Sequence, residues 1–416
     1  MKILLIAVGT RGDIEPFLAI AELLTNMNQD IICCFPEQFR KITKDSGFKF
    51  VGLTPKYLQM LESKEGIIAM GGKANLFQKI KAYYFLYKRS GDVNKILSTE
   101  QKDLVDLEKP DKIIYHIKAN YPLIYEAQNP NKTVLLSPIP FMIHPMKEHA
   151  HIGFKNMGSF LNKLSYRIAN NGLIMNVQKA AKGLYPSKEI TAKKIKSALS
   201  LGKTVYTVSP FLFKKSDLWP DNVKVFGYHE RNKSLNWNPE SGLLDFIKKH
   251  KIIAFITFGS MVNGEPKEKT ELIVRVLKRL KIAAIINTGD GGLINLKQDD
   301  SGLIYYVSNI PYDWLLPQVG YMIHHGGSGT THMAMKYACP SIIIPHIIDQ
   351  FLWNEISNNK GFGPKGVSIN HLDEAIFESL LKDLVSNSLY KEKALRASKT
   401  IMNEKYSQEL YEFIMK

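Results

Sequence analysis

A strand, a glycine-rich turn and a helix follow one another between residues 321 and 336, and this pattern constrains the fold more than any other part of the chain. Residues 321–323 form an apolar run typical of the end of a buried strand, and the run stops at His324-His325. Three glycines then allow the backbone to turn tightly and to approach a ligand: Gly326, Gly327 and Gly329. A strand that leads into a helix through such a turn is typical of parallel α/β sheets.

The start of this helix has the composition of an anion site. Three hydroxyl side chains are predicted to cap a helix that runs through Lys336: Ser328, Thr330 and Thr331. Backbone N–H groups from Gly327 to Thr330, including that of Gly329, would point toward a ligand, and the helix dipole favours negative charge at that end. His325, at the end of the strand, could donate a further hydrogen bond to a phosphate oxygen. The structural alternative is a glycine turn that only joins a strand to a helix.

A second buried strand, residues 341–344, follows this helix, and Asp349-Gln350 lie just beyond it. Successive strands of a parallel sheet end at the same edge, where ligands bind. We therefore expect the anion site and these two polar side chains to face one pocket. Such a pocket suits a sugar nucleotide, whose diphosphate would lie at the helix N-terminus while Asp349 and Gln350 bind sugar hydroxyls.

The ordered segment from Asn309 to Gln350 resembles the nucleotide-sugar signature of the family 1 glycosyltransferases. The resemblance is to the branch that contains the sterol glucosyltransferases and the vancomycin-type antibiotic glycosyltransferases. It implies the GT-B fold, an α/β fold in which two Rossmann-like domains face each other across a cleft and a C-terminal helix crosses back to the N-terminal domain. It also implies a UDP-sugar donor, transfer of a hexose such as glucose, and a hydroxyl on a lipophilic acceptor (a sterol, a lipid or a natural product).

The resemblance places further donor contacts in the C-terminal half. Gly259 and Ser260 follow an apolar run, and Ser260 would add a hydrogen bond to the diphosphate. Three residues match the segment that holds the nucleotide base in relatives: Ser308, Asn309 and Ile310. Asn309 stands where many relatives carry a stacking tryptophan, so base packing would rest on backbone contacts and Ile310. Uracil rather than thymine is an expectation of the resemblance, and Trp314 is predicted to be a core residue.

A second motif, Gly-Thr-Arg-Gly-Asp-Ile-Glu-Pro at residues 9–16, follows the first apolar run of the chain. Gly9 and Gly12 are predicted to form a turn and Pro16 to start a helix, which puts Asp13 near a helix N-terminus. An acidic residue at that position is stabilised by the helix dipole, and this is the structural interpretation of Asp13.

The same motif is typical of the sterol and antibiotic branch, where Arg11 and Gly12 belong to the N-terminal loop. There an aspartate stands in the place of the catalytic histidine of the plant and animal relatives, so the resemblance implies that Asp13 is the general base. Inverting glycosyl transfer requires such a base to take the proton of the attacking hydroxyl. A histidine from the loop at 138–158, such as His144, could share this role, so whether Asp13 acts alone stays open at this point.

A nucleoside diphosphate leaving group must have its negative charge stabilised. Enzymes of the other main glycosyltransferase fold use a metal ion held by an Asp-x-Asp motif, which this sequence lacks. We therefore expect no metal and no cofactor, with His325, the first turn of the helix and its dipole stabilising the diphosphate.

Alternating strand and helix patterns predict two parallel α/β domains. Residues 1–228 are predicted as the N-terminal, acceptor-binding Rossmann-like domain, and the polar segment 229–242 as the linker. Residues 243–388 are predicted as the nucleotide-sugar-binding domain. A single helix in residues 389–416 would pack back toward the N-terminal domain.

The net charge of +16 is concentrated in the first part of the chain. Residues 1–228 hold 33 Lys and Arg against 19 Asp and Glu, a surplus of +14, whereas residues 229–416 hold 22 against 20, a surplus of +2. Solvated helix faces are one explanation, and peripheral contact with an anionic membrane is another. No nucleic-acid module accompanies the charge, so a nucleic-acid partner is not expected. Three cysteines without a disulfide framework, and a start unlike a signal peptide, predict a cytoplasmic protein, with the inner face of the membrane as an alternative location.

Other functions remain open from the sequence. A nucleotide-sugar epimerase can share the predicted architecture and needs no second substrate. A non-catalytic lipid- or nucleotide-binding module would not need Asp13. A dinucleotide oxidoreductase is disfavoured because no Gly-x-Gly-x-x-Gly follows the first strand.

Overall fold

The computed structural model of the chain describes residues 1–69, 75–152, 154–186, 190–235, 237–261, 264–289, 291–296 and 301–416. The chain divides into two compact units. The N-terminal unit comprises Met1–Met70, Ala74–Arg231 and Lys405–Lys416, and the C-terminal unit consists chiefly of Asn232–Glu404. Among the described residues, none of the helices combines the length and the apolar composition needed to span a bilayer.

The N-terminal unit is built on a seven-stranded parallel sheet with the strand order β3-β2-β1-β4-β5-β6-β7. Its strands are β1 (Lys2–Ile6), β2 (Asp30–Pro36), β3 (Lys49–Leu53), β4 (Lys112–Tyr115), β5 (Thr133–Ser137), β6 (Lys203–Tyr206) and β7 (Val223–Val225). Its helices are α1 (Arg11–Asn26), α2 (Arg40–Asp45), α3 (Lys56–Glu62), α4 (Lys64–Ala69), α5 (Leu76–Glu108), α6 (Asn120–Gln128), α7 (Ser159–Leu184) and α8 (Ala192–Leu201).

The C-terminal unit contains a five-stranded parallel sheet with the order β10-β9-β8-β11-β12. Its strands are β8 (Ile253–Thr257), β9 (Ala283–Asn287), β10 (Ile304–Val307), β11 (Tyr321–His324) and β12 (Ser341–Ile343). Its helices are α9 (Ser241–Lys249), α10 (Pro266–Leu280), α11 (Tyr312–Leu315), α12 (Ser328–Lys336), α13 (Ile348–Asn359), α14 (Glu374–Ser386) and α15 (Ser388–Met402).

The apolar strand sequences explain both sheets. Residues of β1 that point to opposite faces, such as Leu4 and Leu5, are both fully buried. Helices therefore cover both faces of the sheet, as in other all-parallel sheets. In each unit the strand order runs outward from the first strand and then reverses, which is the order of a Rossmann-like sheet. The predicted α/β class with two Rossmann-like units is confirmed.

The reversal creates a switch point in each sheet. In the N-terminal unit it lies between β1 and β4, which pair in parallel, and in the C-terminal unit it lies between β8 and β11. Ligands of open α/β sheets bind beyond the carboxyl ends of the strands at such points. A functional site is therefore expected in the loops that follow these four strands.

Two predicted helix boundaries are wrong. Helix α1 begins at Arg11 rather than at Pro16, because Asp13 in its first turn accepts the N–H of Thr10 at 2.8 Å and stabilises an earlier start. The predicted single C-terminal helix is two helices, α15 and α16 (Ser407–Met415). The break separates α15 in the C-terminal unit from α16, whose Leu410 and Ile414 join the core around β1.

Candidate active site

Asp13 lies in the first turn of α1, shortly after β1 and at the switch point of the N-terminal sheet. The residue is 4% exposed. Gly9, at the end of the strand, has a φ of +141°, and a Cβ atom at this position would lie 2.0 Å from Asp13 Oδ2. Glycine at position 9 is therefore what allows the carboxylate to lie against the backbone.

Two side chains that follow β4 contact this carboxylate. Lys118 Nζ donates to both oxygens of Asp13 at 2.9 Å. His116 Nε2 lies 3.4 Å from Asp13 Oδ1. The parallel pairing of β1 with β4 brings these residues together, although Lys118 and Asp13 are 105 positions apart in the chain. Asp13, His116 and Lys118 form what we call the acidic cluster.

The electrostatics of this cluster keep Asp13 ionised. Burial acts to raise the pKa of Asp13, but the charges of Lys118 and His116 and the hydrogen bonds from Lys118 and Thr10 outweigh it, so the pKa lies below its ordinary value. Burial lowers the pKa of His116 to about 4, against the opposing pull of Asp13. At neutral pH the cluster therefore contains a carboxylate, an ammonium and a neutral imidazole.

The loop histidine His144 does not contribute to this cluster in the described structure. His144 is buried, and its Nδ1 lies 3.0 Å from the hydroxyl of Tyr206. Its ring also packs against Trp219. Burial lowers the pKa of His144 to about 4, and its neighbours are those of a core residue. The histidine that contacts Asp13 is His116 instead.

Arg11 and Gly12, predicted as part of the N-terminal loop, lie in the first turn of α1. Arg11 donates from Nε to Glu15 Oε1 at 3.1 Å, and the other oxygen of Glu15 accepts from Arg231 at 2.9 Å. These ion pairs stabilise the start of α1, which holds Asp13 in place.

A cavity of about 260 Å³ in the N-terminal unit borders Lys118. Its lining mixes amide, aromatic and apolar side chains, among them Tyr57, Asn94, Asn120, Met142, Asn170 and Leu173. Lys118, which binds Asp13, is thus also part of a cavity wall, so a molecule in this cavity would approach the acidic cluster.

In the C-terminal unit, His325 follows β11 and its imidazole lies between two glycines. A Cβ atom at Gly259 would lie 2.8 Å from His325 Cε1, and one at Gly327 would lie 2.5 Å from His325 Nε2. Gly259 also has a φ of +58°, a conformation that favours glycine. Any larger residue at either position would push the ring away, so both glycines are required for its placement.

Burial lowers the pKa of His325 well below its ordinary value, and the neighbouring His324 and His346 act in the same direction. His325 is therefore neutral and carries one N–H at neutral pH. Gly326 N–H donates to His324 Nδ1 at 3.1 Å, which fixes the turn after the strand. We call His325, Gly259 and the turn Gly326–Thr330 the glycine cradle.

The predicted side-chain caps of α12 are wrong. Its N-cap is Gly327, which has no side chain, and Ser328, Thr330 and Thr331 lie inside the helix. Thr331 instead turns back to donate from Oγ1 to the carbonyl of Gly327 at 3.0 Å. The first turn of α12 consists of Ser328, Gly329 and Thr330. Its backbone N–H groups are directed along the helix axis, which is the arrangement that binds anions.

Asp349 and Gln350 lie in the first turn of α13, beyond β12. The side-chain oxygen of Gln350 accepts the N–H groups of His346 at 2.7 Å and Ile347 at 3.1 Å. Gln350 is buried and stabilises the turn. Asp349 is half-buried beside it.

The segment predicted to hold the base follows β10. Ser308 and Asn309 are exposed and Ile310 is buried. After β8, Ser260 is half-buried, and Thr257 accepts the N–H of Gly259 at 3.1 Å. These residues therefore lie at carboxyl ends of strands in the same sheet.

Trp314 is only half-buried, with its ring 4.9 Å from that of Trp237, so its predicted place in the core is wrong.

Sequence reasoning missed His116 and Lys118. The signal that could have found them is the Rossmann-like strand order, in which β4 returns to the free side of β1 after the chain has formed β2 and β3. Polar residues just after that strand would then face the loop that carries Asp13.

Two protein-family models match the chain. The model of the glycosyltransferase family 28 N-terminal domain matches residues 3–105, and the model of the erythromycin biosynthesis protein CIII-like C-terminal domain matches residues 284–415. These two ranges contain Asp13 and the turn of the glycine cradle, respectively.

Curated relatives are similar over nearly the whole chain. A sterol 3-beta-glucosyltransferase of Arabidopsis thaliana is 28% identical over 411 residues, which cover 93% of this chain and 62% of the relative. One from Komagataella phaffii is 25% identical over 425 residues, which cover 97% of this chain and 33% of the relative. The chain thus spans less than two thirds of the length of either relative.

Among solved structures, the glycosyltransferase of kitacinnamycin matches with a TM-score of 0.70 at 14% identity, over 100% of this chain and 98% of the other. The chain therefore has the GT-B fold of these structures, and the predicted fold is confirmed. The predicted resemblance to the sterol glucosyltransferases is confirmed, because the chain is similar to two of them over nearly its whole length.

Proposed function

We propose that the chain is an inverting, metal-independent glycosyltransferase that moves a hexose, with glucose as the first candidate, from a UDP-sugar to a hydroxyl of a lipophilic acceptor. The observation that supports this most is the buried, ionised carboxylate of Asp13 at the switch point of one Rossmann-like sheet. The glycine cradle occupies the equivalent position in the other sheet. One unit thus offers a proton acceptor and the other an anion site.

In this proposal Asp13 accepts the proton of the acceptor hydroxyl while its oxygen attacks the anomeric carbon. The bond from that carbon to the diphosphate breaks at the same time, and the electron pair leaves with the nucleoside diphosphate. Because Lys118 lowers the pKa of Asp13, the carboxylate is a weak base until this ammonium turns aside. Lys118 is 30% exposed at its side chain and borders the cavity, so it has room to do so.

The donor site of the proposal is the glycine cradle. The N–H of His325, the first-turn N–H groups of α12 and the helix dipole would stabilise the charge that develops on the diphosphate. Ser260 would donate a further hydrogen bond, and Asp349 would bind sugar hydroxyls. A nucleotide base would lie against Ile310 and the backbone of Ser308 and Asn309.

Two observations support a lipophilic acceptor. The curated relatives described above are named as glucosyltransferases of sterols. The cavity beside Lys118 has apolar walls at Met142 and Leu173 and amide groups at Asn94, Asn120 and Asn170, so it suits an acceptor with a hydroxylated end and an apolar body.

A transfer screen tests the proposal. UDP-glucose is incubated with the protein and a mixed library of hydroxyl-bearing lipids, and the products are identified by mass spectrometry. We expect a glycosylated lipid only when both substrates are present. Conversion of UDP-glucose to another sugar nucleotide without an acceptor would indicate an epimerase, and UDP binding with no turnover would indicate a binding module.

A further inference from the structure

Helix α7 exposes a row of large apolar side chains. Phe160 is 76% exposed, Ile168 is 53% exposed and Met175 is 69% exposed, with Leu164 exposed between the first two. The separations between neighbours in this row are four, four and seven residues, so they follow one face of the helix. Phe154 and Met157, just before the helix, are exposed as well.

The apolar row is not the side of α7 that packs on its own unit. Tyr166 and Val177 are buried on the opposite side. A helix at the surface of a soluble domain normally presents polar residues outward and one apolar stripe inward. Helix α7 is apolar on both sides, and contiguous exposed apolar surface of this kind marks a site of interaction.

The charges that flank the row all have one sign. Lys163, Arg167 and Lys179 are exposed, and the sequence of α7 contains neither Asp nor Glu. Lys155, in the segment that precedes the helix, is a further exposed cation. A surface that combines apolar side chains with cations alone is complementary to a partner that is apolar inside and anionic at its surface.

We infer that the outward face of α7 docks the protein on an anionic lipid bilayer. Phe160, Ile168 and Met175 enter the boundary between head groups and acyl chains, while the flanking cations pair with anionic head groups. The charge surplus of the N-terminal half had suggested a membrane as one explanation, and α7 gives that explanation a specific surface on which apolar burial and charge act together.

The same helix lines the cavity beside Lys118. Ala169, Asn170 and Leu173 belong to the cavity wall and lie between Ile168 and Met175 of the exposed row. These cavity residues lie on the inner side of the helix, so a lipid that leaves the bilayer at α7 would pass around this one element to reach the cavity beside Lys118. Docking and acceptor uptake would then use two sides of one element.

The test compares vesicle binding by matched variants of the full chain. Phe160→Ser with Ile168→Ser removes two residues of the row, and Lys163→Gln with Arg167→Gln removes two charges. Leu389→Ser with Leu395→Ser is the control, because these residues are exposed on α15, which also carries Glu392. Binding is measured by co-sedimentation with vesicles of phosphatidylglycerol and phosphatidylcholine, and with phosphatidylcholine alone, at low and high salt.

We expect the wild type and the control to bind the anionic vesicles at low salt. The serine variant should lose affinity by about tenfold or more, and the glutamine variant should lose it by a similar factor at low salt only. Circular dichroism and thermal melting confirm that each variant is folded.

Equal binding of all variants to anionic vesicles would overturn the inference, and so would the absence of wild-type binding. Self-association of the wild type that the serine variant abolishes would assign the row to an interface between copies and would also overturn it. UDP affinity, measured by calorimetry on the same preparations, separates this test from that of the proposed function. A protein that binds vesicles but transfers no sugar would contradict only the proposed function.

Discussion

The two units differ in the charges that they carry at the same point of the same kind of sheet: the N-terminal unit has an ion pair around a buried carboxylate, and the C-terminal unit has an uncharged imidazole. In the N-terminal unit, the loops after β1 and β4 bring together Asp13 and Lys118 with 2.9 Å hydrogen bonds. In the C-terminal unit, the equivalent loops after β8 and β11 bring together Gly259 and the neutral imidazole of His325. A Rossmann-like switch point therefore fixes where a site forms, and the side chains decide what chemistry it supports.

The difference between these two sites has a physical reason. The acidic cluster keeps a buried charge by pairing it, since an unpaired buried carboxylate would be neutralised by an upward shift of its pKa. The glycine cradle has only backbone dipoles and a neutral donor, so it gains a full charge only when an anion binds. In the proposed function, proton transfer therefore belongs to the first site and anion binding to the second.

The largest expected effect is that of Asp13→Asn. The amide cannot accept a proton, so turnover should fall by about 100- to 10,000-fold, while UDP affinity stays near that of the wild type. Lys118 can turn toward solvent, so the fold should survive, and circular dichroism checks this. Turnover close to that of the wild type would move the role of base to another group.

His325→Ala should act on the other site and to a smaller extent. A charged diphosphate would lose one of its few side-chain donors, which typically costs about 1.5–3 kcal/mol, or roughly tenfold to a hundredfold in UDP affinity measured by calorimetry. Asp349→Ala is the matched control, because it should lower turnover while UDP affinity changes little. If both variants weaken UDP binding to the same extent, Asp349 does not bind the sugar.

Lys118→Met tests the electrostatics of the acidic cluster through pH. In the wild type the ammonium of Lys118 lowers the pKa of Asp13, so the ionised, competent form persists to low pH. Without this charge the pKa rises, and the acidic limb of the profile of kcat/KM against pH should move to higher pH. Lys118→Arg keeps the charge and should keep the wild-type limb. A limb that does not move in Lys118→Met would show that Asp13 does not control it.

The smallest expected effect concerns the unequal charge of the two halves. Lys88, exposed on α5 of the N-terminal unit, lies over the ring of Tyr84. Lys88→Gln should weaken binding to anionic vesicles by about fivefold at low salt, since one such charge near the surface is worth ~1 kcal/mol. Lys248→Gln, on α9 of the C-terminal unit, is the control and should change nothing. If both variants weaken vesicle binding equally, the attraction to anionic vesicles does not come from the N-terminal unit in particular.

The strands were the most predictable part of the molecule. Strands of parallel sheets are buried on both faces, so β1, β8 and β11 are continuous apolar runs that stand out in the sequence. The position of Asp13 in a helix N-terminus also followed from local pattern. The first residue of the helix could not be predicted in the same way, because α1 begins at Arg11 and Pro16 lies inside it.

Long-range contacts could not be predicted from local pattern. The pairing of Lys118 with Asp13 joins residues 105 positions apart and depends on strand order. Likewise, the pattern at Thr331 favours a cap, but in the fold its hydroxyl donates to the carbonyl of Gly327. The side of α7 that faces outward was equally hidden, because apolar residues occur all around this helix and only packing separates the buried ones from the exposed ones.

The most direct test of the account is the anomeric configuration of the product. UDP-glucose, in which the sugar bond is α, is supplied together with a sterol or another hydroxyl lipid presented in anionic vesicles, and the purified product is examined by NMR. Attack by a hydroxyl that Asp13 deprotonates, on the face opposite the leaving diphosphate, predicts a β-glucoside that the Asp13→Asn variant does not form. An α-glucoside, or a product formed equally well by Asp13→Asn, would contradict the account.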